Sequence, residues 1–142
     1  MKNTLLLLTF TFGIMTAAAG AANAQAMPVV IQNCNNPDIG NTNIYAMPAV
    51  ITWNPCIAAR LDAVSPGVSA FAFAHEMCHA SLRTLNEALA DRCAATQVSR
   101  EIAIAAVRYF LTVAPVYPYL PTYGTAYDRA SRIAEAAGLP RP

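Results

Sequence analysis

The fold of this protein is decided by residues 75–91, which read HEMCHASLRTLNEALAD. The stretch begins with the only two histidines of the chain, His75 and His79. It ends with a second pair at the same spacing, Glu87 and Asp91. Residues four apart lie on one face of a helix, one turn from each other. The stretch therefore predicts two helices joined by a tight turn, with each pair on one helical face.

The first pair belongs to an H-E-x-x-H pattern in which Glu76 follows His75 directly. Two imidazoles one turn apart can bind one zinc ion. Glu76 is rotated by about 100° around the helix, so its carboxylate can reach a water on the open side of the metal. Zinc lowers the pKa of such a water to about 7, and a glutamate can then take its proton as a general base. The alternative is a buried helix in which the histidines only pack.

A catalytic zinc ion needs a third protein ligand. Since no histidine remains, that ligand must be a carboxylate or a thiolate. If the two helices are antiparallel, position 79 lies level with 87 and position 75 with 91. In that arrangement Glu87 binds zinc, and Asp91 accepts the free ring N–H of one histidine and orients it. The spacing leaves Asp91 open as the third ligand instead.

Both acidic residues also have ordinary explanations. Residues 84–87, TLNE, fit a capping box in which Glu87 bonds only the backbone N–H of Thr84. Asp91 can pair with an arginine close in sequence, such as Arg83 or Arg92. The packing of the two helices decides between these roles.

Composition excludes several classes of protein. The chain has 142 residues, is 56% hydrophobic and carries a net charge of +1. It is too apolar for a disordered tail, and it lacks the positive charge that nucleic-acid binding requires. The length predicts a single domain. We expect no nucleic-acid partner, and the oligomeric state is left open.

The first 24 residues have the pattern of a secretory signal peptide. Lys2 precedes an apolar run at 5–15, and small residues lead to two overlapping A-x-A sites that end at Ala24 and Ala26. The run is shorter than the roughly 20 residues of a membrane span, although an anchor is the alternative. We predict cleavage after Ala24 or Ala26, and an exported, periplasmic or secreted domain over residues 27–142 with no membrane span.

Four cysteines in an exported chain predict two disulfide bonds. Four cysteines allow three connectivities, and spacing does not choose among them. We favour Cys34–Cys56 and Cys78–Cys93, which join nearest neighbours along the chain. No C-x-x-C pair is present, so a zinc site made of cysteines is not expected.

The remaining sequence predicts a mainly helical α+β fold. Strands are predicted at 28–33 and 44–53, the second as an edge strand or a hairpin interrupted at Pro48, which lacks a backbone N–H. Ser65, before Pro66, and Ser99 are the predicted N-caps of the second and fourth helices. A loop is predicted at 114–124, and five helices are predicted at 57–64, 66–83, 85–98, 100–113 and 128–137.

H-E-x-x-H followed by E-x-x-x-D resembles the gluzincin zinc metallopeptidases, most closely the CAAX-prenyl-endopeptidase and HtpX-like branch. Residues 43–48, NIYAMP, resemble the N-A-F-A-x-P segment of that branch, an edge strand along which the peptide substrate lies. Residues 123–133, YGTAYDRASRI, resemble its closing His-Pro…Arg-Ala…Ile segment. Two features depart from the branch: the gap between the two motifs is shorter, and there are no membrane spans.

The resemblance implies a small zincin-like core, in which a short edge β-hairpin lies over the H-E-x-x-H helix and the E-x-x-x-D helix is antiparallel to it. It implies that His75, His79 and Glu87 bind zinc, and that Asp91 orients a ligand. Glu76 is then the general base for hydrolysis of a peptide or protein substrate. A non-catalytic, zinc-stabilised or disulfide-bonded binding domain is the alternative function.

Two further site residues come from the closing segment. Tyr123 stands where a hydrogen-bond donor to the oxyanion is expected, with Tyr127 as its rival. A tyrosine in a proline-rich loop can equally be a packing residue. In the aspzincins the third ligand comes from a G-T-x-D-x-x-Y-G segment, and residues 124–128, GTAYD, resemble it with the aspartate one position late. Asp128 is therefore a further candidate ligand.

Overall fold

A computed structural model describes residues 26–113 and 123–142. The predicted signal peptide and residues 114–122 of the predicted loop lie outside the described residues. The described elements are β1 (Val29–Gln32), β2 (Gly40–Asn43), β3 (Val50–Trp53), α1 (Pro55–Val64), α2 (Val68–Leu82), α3 (Glu87–Gln97), α4 (Arg100–Thr112) and α5 (Ala126–Ala136). The predicted fold class, mainly helical α+β, is confirmed.

The three strands form one mixed sheet in the order β1-β3-β2. The central strand β3 pairs in parallel with β1 and antiparallel with β2. Residues 44–49, predicted as part of one strand, instead connect β2 to β3. Pro48 lies in this connection and has no N–H with which to continue a ladder. The predicted hairpin is therefore present, but its edge strand is β2, upstream of the predicted range.

Helix α2 lies between the sheet and the other helices. On the sheet side it packs Ala80 against Ala49 and Ile51, all buried. On the other side a core of mostly alanines joins α2 to α3, α4 and α5. Small side chains allow helix axes to approach closely. Because α2 is held on two sides, the directions of its side chains are well defined.

Both predicted disulfide bonds are confirmed. Cys34–Cys56 joins the segment after β1 to α1, and Cys78–Cys93 joins α2 to α3. Such bonds persist in oxidising compartments, so they are compatible with an exported protein. Among the described residues, no helix has both the length and the apolar character needed to cross a membrane.

The start of α2 differs from the prediction. The helix begins at Val68 rather than at Pro66, because Ser65 is used to end α1. The cap comes instead from Asp62 on α1, whose Oδ1 accepts the backbone N–H of Ser69 at 2.9 Å. The predicted N-cap of α4 is confirmed, since Ser99 accepts the N–H of Ile102.

The turn from β3 into α1 depends on the buried amide of Asn54, which is 1% exposed. Its Oδ1 caps α1 by accepting the N–H groups of Cys56 and Ile57, at 2.9 and 3.0 Å. Its Nδ2 donates to the carbonyls of Cys34 and Asn36, at 3.1 and 2.7 Å. One side chain therefore joins the start of α1 to the segment that follows β1.

Replacing Asn54 by alanine is expected to lower the free energy of unfolding by about 2–4 kcal/mol, because a cap is lost and the carbonyls of Cys34 and Asn36, the second of them buried, lose their donor. Urea unfolding with the disulfides intact measures this. The matched control is Ser99→Ala, which removes one exposed cap and should cost about 1 kcal/mol or less. Equal losses in the two variants would contradict the role given to Asn54.

Candidate metal centre

The turn between α2 and α3 brings the two predicted pairs together. Arg83 ends α2 in a left-handed conformation with φ of 47°, and α3 begins at Glu87. His79, late in α2, contacts Glu87, while His75, one turn earlier, contacts both Glu87 and Asp91. This order of contacts is that of the antiparallel helix pair predicted from the spacing.

Three ligand atoms converge between the helices. His75 Nε2 lies 2.9 Å and His79 Nε2 3.3 Å from Oε2 of Glu87, and the two ring nitrogens are 3.0 Å apart. Ligand atoms of a tetrahedral zinc ion, bonded at about 2.0–2.1 Å, are about 3.4 Å from each other. The described residues contain one group of His, Cys, Asp and Glu side chains that could hold a metal ion, and it is this one.

The second nitrogen of each imidazole is held on the far side of the ring. His79 Nδ1 is 2.6 Å from the carbonyl oxygen of Thr84, which can only accept, so Nδ1 carries the proton. His75 Nδ1 is 3.0 Å from Asp91 Oδ1, at an angle poor for a hydrogen bond, so this contact is chiefly electrostatic. Both contacts favour the tautomer in which Nε2 is free to bind a metal.

The cluster is rich in lone pairs and attracts positive charge. Burial by itself lowers the pKa of His75, but the carboxylates of Asp91 and Glu87 outweigh it and raise the pKa to about 9. Burial raises the pKa of Glu87, but the hydrogen bonds from the two histidines lower it to about 2. Protons and a divalent cation therefore compete for the same place, as they do at metal sites.

Asp91 lies behind the histidines and is fully buried. It accepts hydrogen bonds from Arg129 at 2.6 and 3.1 Å and from Arg132 at 3.0 Å. Burial raises its pKa, but His75 and Arg129 more than offset this and hold the pKa well below its ordinary value. Asp91 thus stays charged and faces Nδ1 of His75, the position of an orienting group rather than of a ligand.

Sequence reasoning missed both arginine partners of Asp91. Arg83, considered for that role, instead donates to the carbonyls of Ile44 and Ala46, in the connection between β2 and β3. The sequence did mark Arg129, because it is the arginine of the Arg-Ala pair in the segment at 123–133 that resembles the closing segment of the gluzincin branch.

Glu76 lies beside β2. Its Oε2 accepts the hydroxyl proton of Thr42 at 2.7 Å. A Cβ atom placed on Gly40 would stand 2.8 Å from Cγ of Glu76, so the strand backbone packs directly against this side chain. The structure thus places Glu76 between the sheet and α2, while the neighbouring histidines face α3.

Of the two candidate tyrosines, Tyr123 is the one close to the cluster. Burial and the nearby carboxylate of Glu87 raise the pKa of its phenol to about 12. The guanidinium of Arg129 lies over its ring, 5.2 Å from the centroid. Tyr127 is directed elsewhere, because its hydroxyl donates to the carbonyl oxygen of Pro142 at 2.9 Å.

The remaining candidate ligand, Asp128, is apart from the cluster. Its Oδ2 accepts the N–H and the hydroxyl of Thr125, at 2.8 and 2.7 Å, and so completes a capping box at the start of α5. A carboxylate with this task sits at the helix end and does not join the histidines.

The capping box predicted for Thr84 and Glu87 is not formed. The backbone N–H of Thr84 already bonds the carbonyl of His79 at the end of α2, and Asn86 caps α3 by accepting the N–H of Leu89. Since its capping partner is taken, the Glu87 side chain turns to the histidines.

Comparisons with protein-family models, with curated proteins and with solved structures find no match for this chain. The resemblance to the gluzincins rests on the residues quoted above. Function is accordingly argued from the geometry of the site.

The first prediction for the site concerns metal content. Wild-type protein dialysed against zinc is expected to retain it stoichiometrically, and His79→Ala and Glu87→Gln are expected to lose it, because two ligands hold zinc poorly. Elemental analysis of the purified protein measures this. The control is Asp128→Asn, which removes the alternative ligand and should leave zinc content unchanged. Loss of zinc in that variant, or zinc-free wild type, would contradict the site.

The second prediction concerns Asp91. Asp91→Asn leaves Arg129 and Arg132 without their buried countercharge, so we expect a loss of about 3–5 kcal/mol in the free energy of unfolding. We also expect zinc affinity to fall about 10- to 100-fold, because His75 loses its orienting group. Urea unfolding and competition with a zinc chelator measure the two effects. Glu135→Gln, which breaks the exposed 3.7 Å pair with Arg141, is the control and should change neither.

Proposed function

We propose that this protein is an exported zinc metallopeptidase of the gluzincin type, a minimal relative of the CAAX-prenyl-endopeptidase and HtpX-like branch. One observation carries the proposal: Nε2 of His75, Nε2 of His79 and Oε2 of Glu87 lie within 3.3 Å of one another. Two imidazoles and one carboxylate are a donor set of catalytic zinc sites, which keep a fourth position for water or substrate.

The residues around this donor set support hydrolysis of a peptide bond. When bound, a zinc ion supplies Lewis acidity, which polarises the scissile carbonyl and makes a water easier to deprotonate. Glu76 takes a proton from the attacking water as general base and passes it to the leaving amine as general acid. Asp91 and the Thr84 carbonyl keep the protons of the two histidines on Nδ1 throughout.

Tyr123 provides the proposed donor to the developing oxyanion. With a pKa of about 12, its phenol is protonated at neutral pH and able to donate. A donor placed before the reaction stabilises the negative charge that builds on the carbonyl oxygen without further reorganisation.

The sheet supplies a place for an extended peptide. β2 is an edge strand and lies against α2 through the contact between Thr42 and Glu76. A peptide that adds to such an edge gains backbone hydrogen bonds along its length. We propose that the substrate lies along β2, not along β3, which is paired on both sides.

The proposed location rests on the signal-peptide pattern together with the two disulfide bonds. The same disulfides and the same metal ligands also suit the alternative, a metal-stabilised binding domain without catalysis. Glu76 separates the two functions, because a binding domain has no need of a general base beside its metal.

Replacing Glu76 by glutamine is therefore expected to keep stoichiometric zinc and to lower kcat by about 100-fold or more, the size of a general-base contribution. Cleavage of a library of internally quenched peptides by zinc-loaded protein measures this. Glu101→Gln, an exposed change on α4, is the control and should retain full activity. Activity of Glu76→Gln equal to wild type would contradict the mechanism, and zinc-loaded wild type that cleaves no peptide would favour the binding domain.

A further inference from the structure

We infer that Gly40 and Thr42 of β2 form a cradle that positions the carboxylate of Glu76 for proton transfer. The two residues alternate along the strand and therefore share one face of the sheet, and both contact Glu76. The inference rests on the proposed function, because it concerns the efficiency of the general base. Neither residue is a candidate metal ligand or oxyanion donor.

Thr42 holds one end of the Glu76 side chain. Its hydroxyl lies 2.7 Å from Oε2 and 3.1 Å from the backbone carbonyl oxygen of Glu76, so both nearby acceptors belong to that residue. Threonine is stiff at χ1, which fixes the direction of the donor. With Oε2 held in this way, Oε1, which has no hydrogen bond from the described residues, is the oxygen available to take a proton.

Gly40 provides the space that this arrangement needs. A Cβ atom at position 40 would lie 2.8 Å from Cγ of Glu76 and 3.1 Å from the ring of Trp53. The indole is held in turn by an edge-to-face contact with Phe73, at 5.1 Å between ring centroids. Because the indole is packed and the Glu76 side chain is flexible, a methyl group at position 40 displaces Glu76.

The cradle matters because a glutamate side chain has three rotatable bonds. General-base catalysis requires the carboxylate at hydrogen-bond distance from the water that it deprotonates, and a misplacement of about 1 Å can cost about 100-fold in rate. The candidate ligands His75, His79 and Glu87 meet on the face of α2 that adjoins α3, and Glu76 lies about 100° round the helix from that face, beside β2. Loss of the cradle should therefore reduce the chemical step and spare both metal binding and substrate binding.

The experiment compares four variants on the peptide that zinc-loaded wild type cleaves best. Thr42→Val removes the hydroxyl at nearly constant volume, and we expect kcat to fall about 10- to 100-fold, with KM and zinc content unchanged. Thr42→Ser keeps the donor and should stay within about threefold of wild type. Gly40→Ala should lower kcat as Thr42→Val does. Thr52→Val is the matched control on β3: it faces away from α2, opposite Asn41, and should act as wild type.

A second measurement does not depend on activity. A double-mutant cycle in metal-free protein combines Thr42→Val with Glu76→Met. Because residues in contact are energetically coupled, the shift in unfolding midpoint of the double variant should differ from the sum of the two single shifts. Should wild type cleave nothing, the proposed function fails and this cycle still decides whether Thr42 holds Glu76. Additive shifts, or wild-type kcat in Thr42→Val, would overturn the inference.

Discussion

A carboxylate that is removed from water must be paired, and the structure is organised around one such group, Asp91. It stays charged because Arg129 and Arg132 of α5 and His75 of α2 surround it. Unpaired, a buried charge would cost several kcal/mol. Pairing this charge brings α2, α3 and α5 together around Asp91, and the same contacts set the direction of the His75 ring. The stability of the helical layer and the geometry of the candidate metal centre thus have a common cause.

The site also depends on the two-sided packing of α2. His75 and His79 face α3, where Glu87 meets them, while Glu76 faces β2. The helical twist of about 100° per residue therefore turns the candidate metal ligands towards α3 and the proposed general base towards β2. A change in the sheet therefore need not disturb the contacts among His75, His79 and Glu87.

Short-range pattern predicted much of this. Spacings of four residues indicated the α2–α3 hairpin and the meeting of Glu87 with the histidines, and proximity along the chain indicated both disulfides. Contacts between distant segments were harder to predict: Arg129 and Arg132 are 38 and 41 residues from Asp91 in sequence, and only the Arg-Ala pair of the closing segment marked Arg129. The capping box at Thr84 was wrong because the end of α2 competes for the same N–H. Of the strand predicted at 44–53, only Val50–Trp53 forms a strand, because Pro48 lies in the connection before it. The edge strand of the hairpin is β2, which precedes the predicted range.

The bond between Cys78 and Cys93 has a consequence for the order in which the protein matures. Cys78 is the residue just before His79 in sequence, and in a reduced chain the thiols of Cys78 and Cys93 would be free to bind zinc, for which thiolates are strong ligands. Oxidation withdraws both sulfur atoms from that competition. If the proposed function holds, a chain oxidised first presents the metal with His75, His79 and Glu87, whereas a chain that meets zinc first would bind it through sulfur. Under that proposal, correct assembly would require the thiols to be oxidised before the metal arrives.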